Sequence, residues 1–312
     1  MKQSGNQTSE NIEHKLSRSI RVRYRKHLII FWSLFILVIL FIVLLFGLIS
    51  SGRLGYMPTF EELENPKSNL ASEIYSEDDV LLGKYYIENR SDAKFFELDT
   101  NLVNALIATE DIRFYNHSGI DFKALVRAVA GVLSGRYRGG GSTITQQFAK
   151  LLFHERPDSK IKTVLQKLNE WVISVKLEQR YSKEEIITMY LNKFDFVNNA
   201  VGIKSAAKIY FNTTPDSLKI EEATVLIGML KNPALFNPVR RPDTTKFRRN
   251  VVLRQMLKYG FIEPETYDSV RLLPVDMSKF GHQDHLTGHA TYFREHLRSE
   301  LKKWCSNHYK AD

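Results

Sequence analysis

A single cysteine in 312 residues, Cys305, excludes an internal disulfide framework, so the compartment has to be argued from other features. No segment repeats at a period of roughly 20 to 50 residues, which excludes solenoids and propellers. Charge is absent from "LIIFWSLFILVILFIVLLFGLIS", the 23 positions of residues 28–50. At a rise of ~1.5 Å per residue this run covers a hydrocarbon core of ~30 Å. It also exceeds the ~7 to 15 residue apolar core of a cleaved leader, and the following "SSGRLGYMP" offers a poor cleavage site. The run reads as an uncleaved transmembrane anchor.

Acidic residues are scarce ahead of the anchor. Lys2, Lys15, Arg18, Arg21, Arg23, Arg25 and Lys26 face only Glu10 and Glu13, so residues 1–27 form a basic cytoplasmic tail and the chain after Ser50 lies outside. That tail carries +5 of the formal net charge of +9. The basic balance therefore reflects membrane topology and does not call for a nucleic-acid partner.

Residues 51–98 read as a polar stalk, "MPTFEELENPKSNL", followed by a small β hairpin in "SEIYSEDDVLLGKYYIE". Helical periodicity dominates residues 99–262, with turn signals at "HSGID", "SGRYRGGGS", "HERPDS" and "NTTPDS". Residues 263–312 form a connector in which "YFREHLRSELKKW" has the pattern of an amphipathic helix. The ending at "SNHYKAD" suggests a continuation into a further domain. The expected fold class is mainly α, with an N-terminal transmembrane helix and a small β element.

Three stretches carry chemistry. In "ATEDIRFYNHSGID", Val103, Leu106, Ile107, Glu110 and Phe114 fall at i, i+3, i+4, i+7 and i+11, so Glu110 continues an apolar stripe. A carboxylate so placed is partly desolvated or lines a cleft, and desolvation makes a carboxylate a better proton acceptor near neutral pH. The alternative is a capped helix end whose acids point to solvent. In "RGGGSTITQQFAKLLF", three glycines permit close backbone approach to a ligand. The helix after them buries Ile144, Phe148, Leu151 and Leu152 and presents Thr143, Gln146, Gln147 and Lys150 on another face, donors suited to a phosphate or a sugar. No Lys-Ser/Thr pair follows the glycines, so this is not a P-loop; a solvated polar face is the plainer reading. In "KIKTVLQKLNEWVISVKLEQRYSKEEIITMYLN" the pattern predicts two helices broken near Tyr181 and Ser182, with Ile161, Val164, Leu165, Leu168, Val172 and Val175 as the core stripe. Lys167 and Glu170 lie one turn apart, as a surface ion pair or as a second active-site carboxylate held by a lysine.

Two further patterns carry little. "SAAK" at 205–208 matches Ser-x-x-Lys, but the chain has no Lys-Thr-Gly, which leaves acyl-enzyme chemistry and β-lactam binding unsupported. "HQDHLTGH" at 282–289 spaces three histidines like metal ligands within a loop-like connector, and no metal site is assigned there.

Taken in order, "ATEDIRFYNHSGID", "GGSTITQQFAK", "QKLNEW" with "YSKEEIITMYLN", "AVGIKSAAKIYF", "EEATVLIGMLKNPALFNP" and "RRNVVLRQM" resemble the glycosyltransferase family 51 domain, the peptidoglycan polymerase module. The resemblance covers residues 70–262 and is shared by monofunctional transglycosylases and by the N-terminal half of bifunctional class A penicillin-binding proteins. It implies a lysozyme-like fold with a larger head and a membrane-proximal jaw, acting on lipid II and the growing glycan strand beside membrane lipid, together with cell-wall synthesis proteins. It implies Glu110 as the base that deprotonates the acceptor 4-hydroxyl and Glu170 as the second catalytic carboxylate. Asp111, Phe114 and His117 would support the first motif. Ser142, Thr143, Thr145, Gln146, Gln147 and Lys150 would bind sugar and pyrophosphate, with Lys167 assisting the leaving group. A divalent cation, Mg or Mn, could share that task; no organic cofactor is implied. Arg248 and Arg249 would close the last motif as structural residues. "FKALVRAVAGVLSGRYR", with Leu125, Val129, Val132 and Leu133 on one side and Arg127, Arg136 and Arg138 for lipid phosphates, suits the jaw, or else a core helix. The chain departs from the family pattern at Gln166, usually arginine, and at Leu151, usually asparagine. The alternatives are a lysozyme-like hydrolase or lytic transglycosylase with paired carboxylates, and a silent membrane-anchored scaffold.

Overall fold

A computed structural model describes residues 4–54, 57–58, 72–79, 81–85, 92–135, 140–152, 157–281 and 290–308. Most of the expected stalk, Arg136, Arg138 and the histidine-rich 282–289 lie outside the described residues. The chain forms two compact units, Met1–Met57 with Ser159–Val172, and Pro58–Asp158 with Ile173–Asp312.

The first unit contains helix α1 (Ser4–Ser50). Its segment Tyr24–Ser50 is long and apolar enough to cross a membrane. Phe31, Leu34, Ile36, Leu40 and Val43 are all more than half exposed.

The second unit opens with an antiparallel hairpin, β1 (Ser72–Tyr75) and β2 (Leu81–Tyr85), in the stretch where alternation predicted it. A short 3-10 turn (Phe95–Glu97) leads into α2 (Thr100–Glu110), started by the Asp99 side chain, which accepts from the Asn101 amide. There follow α3 (Phe122–Leu133), α4 (Ile144–Leu152), α5 (Lys160–Arg180), α6 (Lys183–Lys193), α7 (Ile203–Phe211), α8 (Ile220–Met229), α9 (Pro242–Lys258), α10 (Pro264–Val270) and α11 (Thr291–His308). The expectation of a mainly α fold with one small β element is met.

Helix α2 packs on α8 and α9, α9 also packs on α8, and α4 packs on α6. The core between them holds Leu102, Leu106, Phe148, Ile187, Leu226 and Met256, all at most 2% exposed. Burying each such side chain contributes about 1.5 to 3 kcal/mol. Asn192 on α6 fastens the incoming chain: its amide accepts from the Ala93 amide at 3.0 Å and donates to the Ala93 carbonyl at 2.8 Å.

Three expectations need correction. Phe114 does not continue the α2 stripe, because the helix stops at Glu110; the ring is buried from the following 3-10 turn, Phe114–Asn116. On α5 the predicted core stripe is not what is buried. Ile161 and Val164 are 74% and 60% exposed, Leu165, Leu168, Val172 and Val175 are half-buried, and the buried face runs through Glu170, Ile173, Ser174 and Leu177. Contact with a neighbour decides burial, and here that face contains a carboxylate. On α4, Leu151 and Leu152 are only half-buried, whereas Thr145 and Gln146 are fully buried.

Candidate active site

The C-terminal end of α2 delivers Glu110 to a cleft of about 490 Å³ in the second unit. The glycine segment 140–141, Ser142 and Thr143 line it with the Glu110–Arg113 turn, and Arg127 of α3 and Arg248, Gln255 and Lys258 of α9 face it too. The stripe logic that singled out Glu110 therefore led to a real concavity.

Both oxygens of the Glu110 carboxylate have partners. Gln147 Nε2 donates to Oε2 at 2.8 Å, and Arg248 Nη2 lies 3.6 Å from Oε1. Gln147 is itself held: the Tyr190 hydroxyl donates to its Oε1 at 3.0 Å. Tyr190 is buried, and burial together with the nearby Glu110 charge pushes its phenol well above the usual range, so it stays protonated. Burial pulls the Arg248 guanidinium below its ordinary value while Glu110 opposes that change. Arg248 also donates from Nε to the Gly228 carbonyl at 3.3 Å, a closeness that Gly228 permits. An added Cβ there would meet Arg248 Cγ at 3.1 Å.

Beneath the cleft, buried polar groups tie the first motif to the second. Asp111 Oδ2 accepts from the Ile144 amide at 3.2 Å, at the start of α4, and pairs with His117 Nε2 at 2.9 Å. A carboxylate at a helix N-terminus is favoured by the free amides and the helix dipole. Thr143 caps the same helix, accepting from the Gln146 amide at 3.2 Å while donating to the Gly119 carbonyl at 2.7 Å. Gln146 Nε2 adds a bond to that carbonyl at 3.2 Å. Thr145 donates to Glu178 at 2.5 Å, and Glu178 pairs with Lys183, whose Nζ also donates to the His117 carbonyl and lies 4.3 Å from the Phe114 ring centre. Gly119 sits at φ +87, and a Cβ there would lie 2.8 Å from the Ser174 carbonyl oxygen.

The structure therefore divides the predicted binding residues. Ser142, Thr143 and Gln147 line the cleft with Glu110 and Asp111. Thr143, Thr145 and Gln146 are at most 1% exposed and engage Gly119 and Glu178. Phe114 and His117 lie under the first motif, with rings 6.1 Å apart. Lys150 is exposed on α4. Lys167 and Glu170 lie in the first unit, where they pair at 2.8 Å with Glu170 buried.

The sequence reading missed four contributing residues. Arg248, expected only as a structural residue, also faces Glu110, whereas its neighbour Arg249 donates to the Leu273 carbonyl. Tyr190 stood in a quoted motif with no role. Arg113 and Asp121, which line the cleft, form a bidentate pair at 2.6 to 2.8 Å. Adjacent arginines have no spacing signal that says which one turns inward. The Arg-x7-Asp spacing across a turn was visible but did not suggest a contact.

Among the described residues no three His, Cys, Asp or Glu side chains gather as a metal site. Glu110, Asp111 and Asp121 each already face N–H donors. Among the described residues these carboxylates do not form a ready-made protein cage for Mg or Mn.

Residues 78–257 match the transglycosylase family. The chain belongs to that family. It is 34% identical to penicillin-binding protein 1A of Pseudomonas aeruginosa over 248 residues, which is 78% of this chain and 29% of that protein. It is 35% identical to penicillin-binding protein 1A of Escherichia coli strain K12 over 246 residues, 78% of this chain and 28% of that one. A crystal structure of penicillin-binding protein 1A from Haemophilus influenzae aligns over 76% of this chain and 24% of that one, at 23% identity and a TM-score of 0.42. The chain thus spans less than a third of the length of these curated relatives. The Glu110 motif and the Arg248 motif both fall inside the matched range.

Proposed function

We propose that the chain polymerises lipid II into β-1,4 glycan strands with inversion, releasing undecaprenyl pyrophosphate outside the membrane that α1 crosses. The observation that carries this reading is the Glu110 carboxylate, held at both oxygens in a cleft within a transglycosylase-family chain. A carboxylate fixed in this way can take the proton of the acceptor sugar's 4-hydroxyl as that oxygen attacks the anomeric carbon of the growing strand. The C–O bond to the pyrophosphate breaks as the glycosidic bond forms, and the developing negative charge needs preorganised cations. Arg127 and Lys258 line the cleft for that purpose, and Lys167 and Lys150 are assigned to the same leaving group. Glu170 is the second carboxylate, paired with Lys167 at 2.8 Å. Ser142 and Gln147 touch substrate, whereas Thr143, Thr145, Gln146, Asp111, Phe114 and His117 act through the frame beneath. Any divalent cation arrives with the substrate's phosphates. The basic residues 1–27 hold the N-terminus in the cytoplasm.

The test is incorporation of labelled lipid II by the detergent-solubilised chain, beside Glu110→Gln. Long polymer from the parent and a loss of about 10²-fold to 10⁴-fold in the variant is the expected outcome, the usual worth of a positioned base. Glycan breakdown in place of synthesis would overturn the reading in favour of a hydrolase.

A further inference from the structure

We propose that Tyr190 is a positioning residue for Glu110, acting through the side-chain amide of Gln147. The inference rests on the reading of Glu110 as the base. The amide of Gln147 can present either its oxygen or its NH₂ group to the carboxylate, and the two orientations fill nearly the same volume. With the NH₂ turned toward Glu110, a hydrogen bond forms at 2.8 Å. With the oxygen turned that way, two acceptors would meet and repel.

The ionised carboxylate can only accept, which favours the NH₂ orientation, and the hydrogen bond from Tyr190 to Oε1 holds the amide in it. Tyr190 is carried by α6 in the core, where it is 1% exposed, and its hydroxyl donates to Gln147 Oε1 at 3.0 Å. Burial and the Glu110 charge keep that phenol protonated, so it has a hydrogen to give. Once Oε1 is taken by Tyr190, the NH₂ group is left to face the carboxylate. The arrangement also constrains Glu110, since Arg248 on α9 holds the other oxygen. Residues on α6, α4 and α9 thereby fix the orientation of a carboxylate on a fourth helix, α2. Tyr190 contacts no cleft space itself, being absent from the cleft lining, which distinguishes it from a substrate-binding residue.

A hydrogen bond donated to a carboxylate favours its charged form. Tyr190→Phe keeps the ring and the packing but releases the amide, so Glu110 loses part of its donor. The experiment follows the Glu110 carboxyl by carbon NMR titration of the full solubilised chain, in the parent, Tyr190→Phe, Gln147→Met and the double variant. It also records kcat, KM and the pH dependence of lipid II polymerisation. Arg248 is present throughout, so its charge is common to all four.

The expected result is an upward displacement of the Glu110 titration curve in Tyr190→Phe relative to the parent, since the carboxylate loses part of its donor. The acid limb of kcat should move with it, kcat near neutral pH should fall about tenfold, and KM should hold. Gln147→Met should do at least as much, and adding Tyr190→Phe to it should change nothing further, because the two residues act in one chain. A Glu110 midpoint unmoved by Tyr190→Phe, or effects that simply add in the double variant, would overturn the proposal. If Tyr190→Phe does not fold, a Glu110 midpoint unmoved by Gln147→Met has the same force. The titration does not depend on catalysis, so a parent that never polymerises would sink the enzymatic reading and leave the positioning result readable.

Discussion

Asp121 is buried, and burial alone would raise its carboxyl pKa. The Ala124 amide and the Arg113 guanidinium outweigh that, and hold it below the ordinary carboxylate range. A carboxyl lowered in the folded state stabilises the fold above its unfolded pKa of ~3.9, and that stabilisation is lost as pH falls through the lower folded value. Urea unfolding at several pH values should therefore show stability falling below about pH 4, with a shallower fall in Asp121→Asn. Equal slopes for the two proteins would rule this pair out as a source of acid sensitivity. Single residues also show where sequence reading stops. Glu110 was legible because an acid on an apolar stripe is a local anomaly. Arg248 was not, since its role depends on a partner 138 positions away. Thr143 and Gln146 were read as ligand donors because their acceptor, the Gly119 carbonyl, belongs to a distant turn.

Helix ends were the most legible elements. The break between α5 and α6 falls at Tyr181, and Ser182 forms a capping box with Glu185, a pattern written in neighbouring residues. Helix faces were less legible. The exposed Ile161 and Val164 of α5 and the buried Glu170 invert what apolarity predicts. Helix α9 shows what an element gains from one buried charge. Arg249 is 1% exposed and donates to the carbonyls of Leu273, Arg271 and Pro274, which fastens the chain after α10 onto the core. Replacing it by methionine fills the space but removes the donor to the Leu273 and Pro274 carbonyls, while the Arg271 carbonyl keeps Asn250 Nδ2. Arg249→Met should lower stability in chemical denaturation by about 2 to 4 kcal/mol. A variant as stable as the parent would show that these carbonyls find other donors.

At the level of the whole chain, the proposed anchor makes membrane association separable from the chemistry. Deleting residues 1–50 should move the protein from the membrane fraction into the soluble fraction, or at least into a salt-extractable one if the exposed Phe122 and Val126 of α3 also bind lipid. Fractionation with and without salt distinguishes these, and retention that resists salt would mean that α1 is not what anchors the chain. The apolar N-terminal helix, the mainly α class, the hairpin and the position of Glu110 were all legible in the order of residues. Each rests on local patterns, such as an unbroken apolar run, a period or a cap, which need no distant partner to be recognised. Folding decided which face of α5 is buried, that Thr143, Thr145 and Gln146 brace the site from beneath, and that Arg248 and Tyr190 converge on one carboxylate. Those outcomes depend on contacts between residues far apart in sequence, and such contacts exist only after α2, α4, α6 and α9 have packed together.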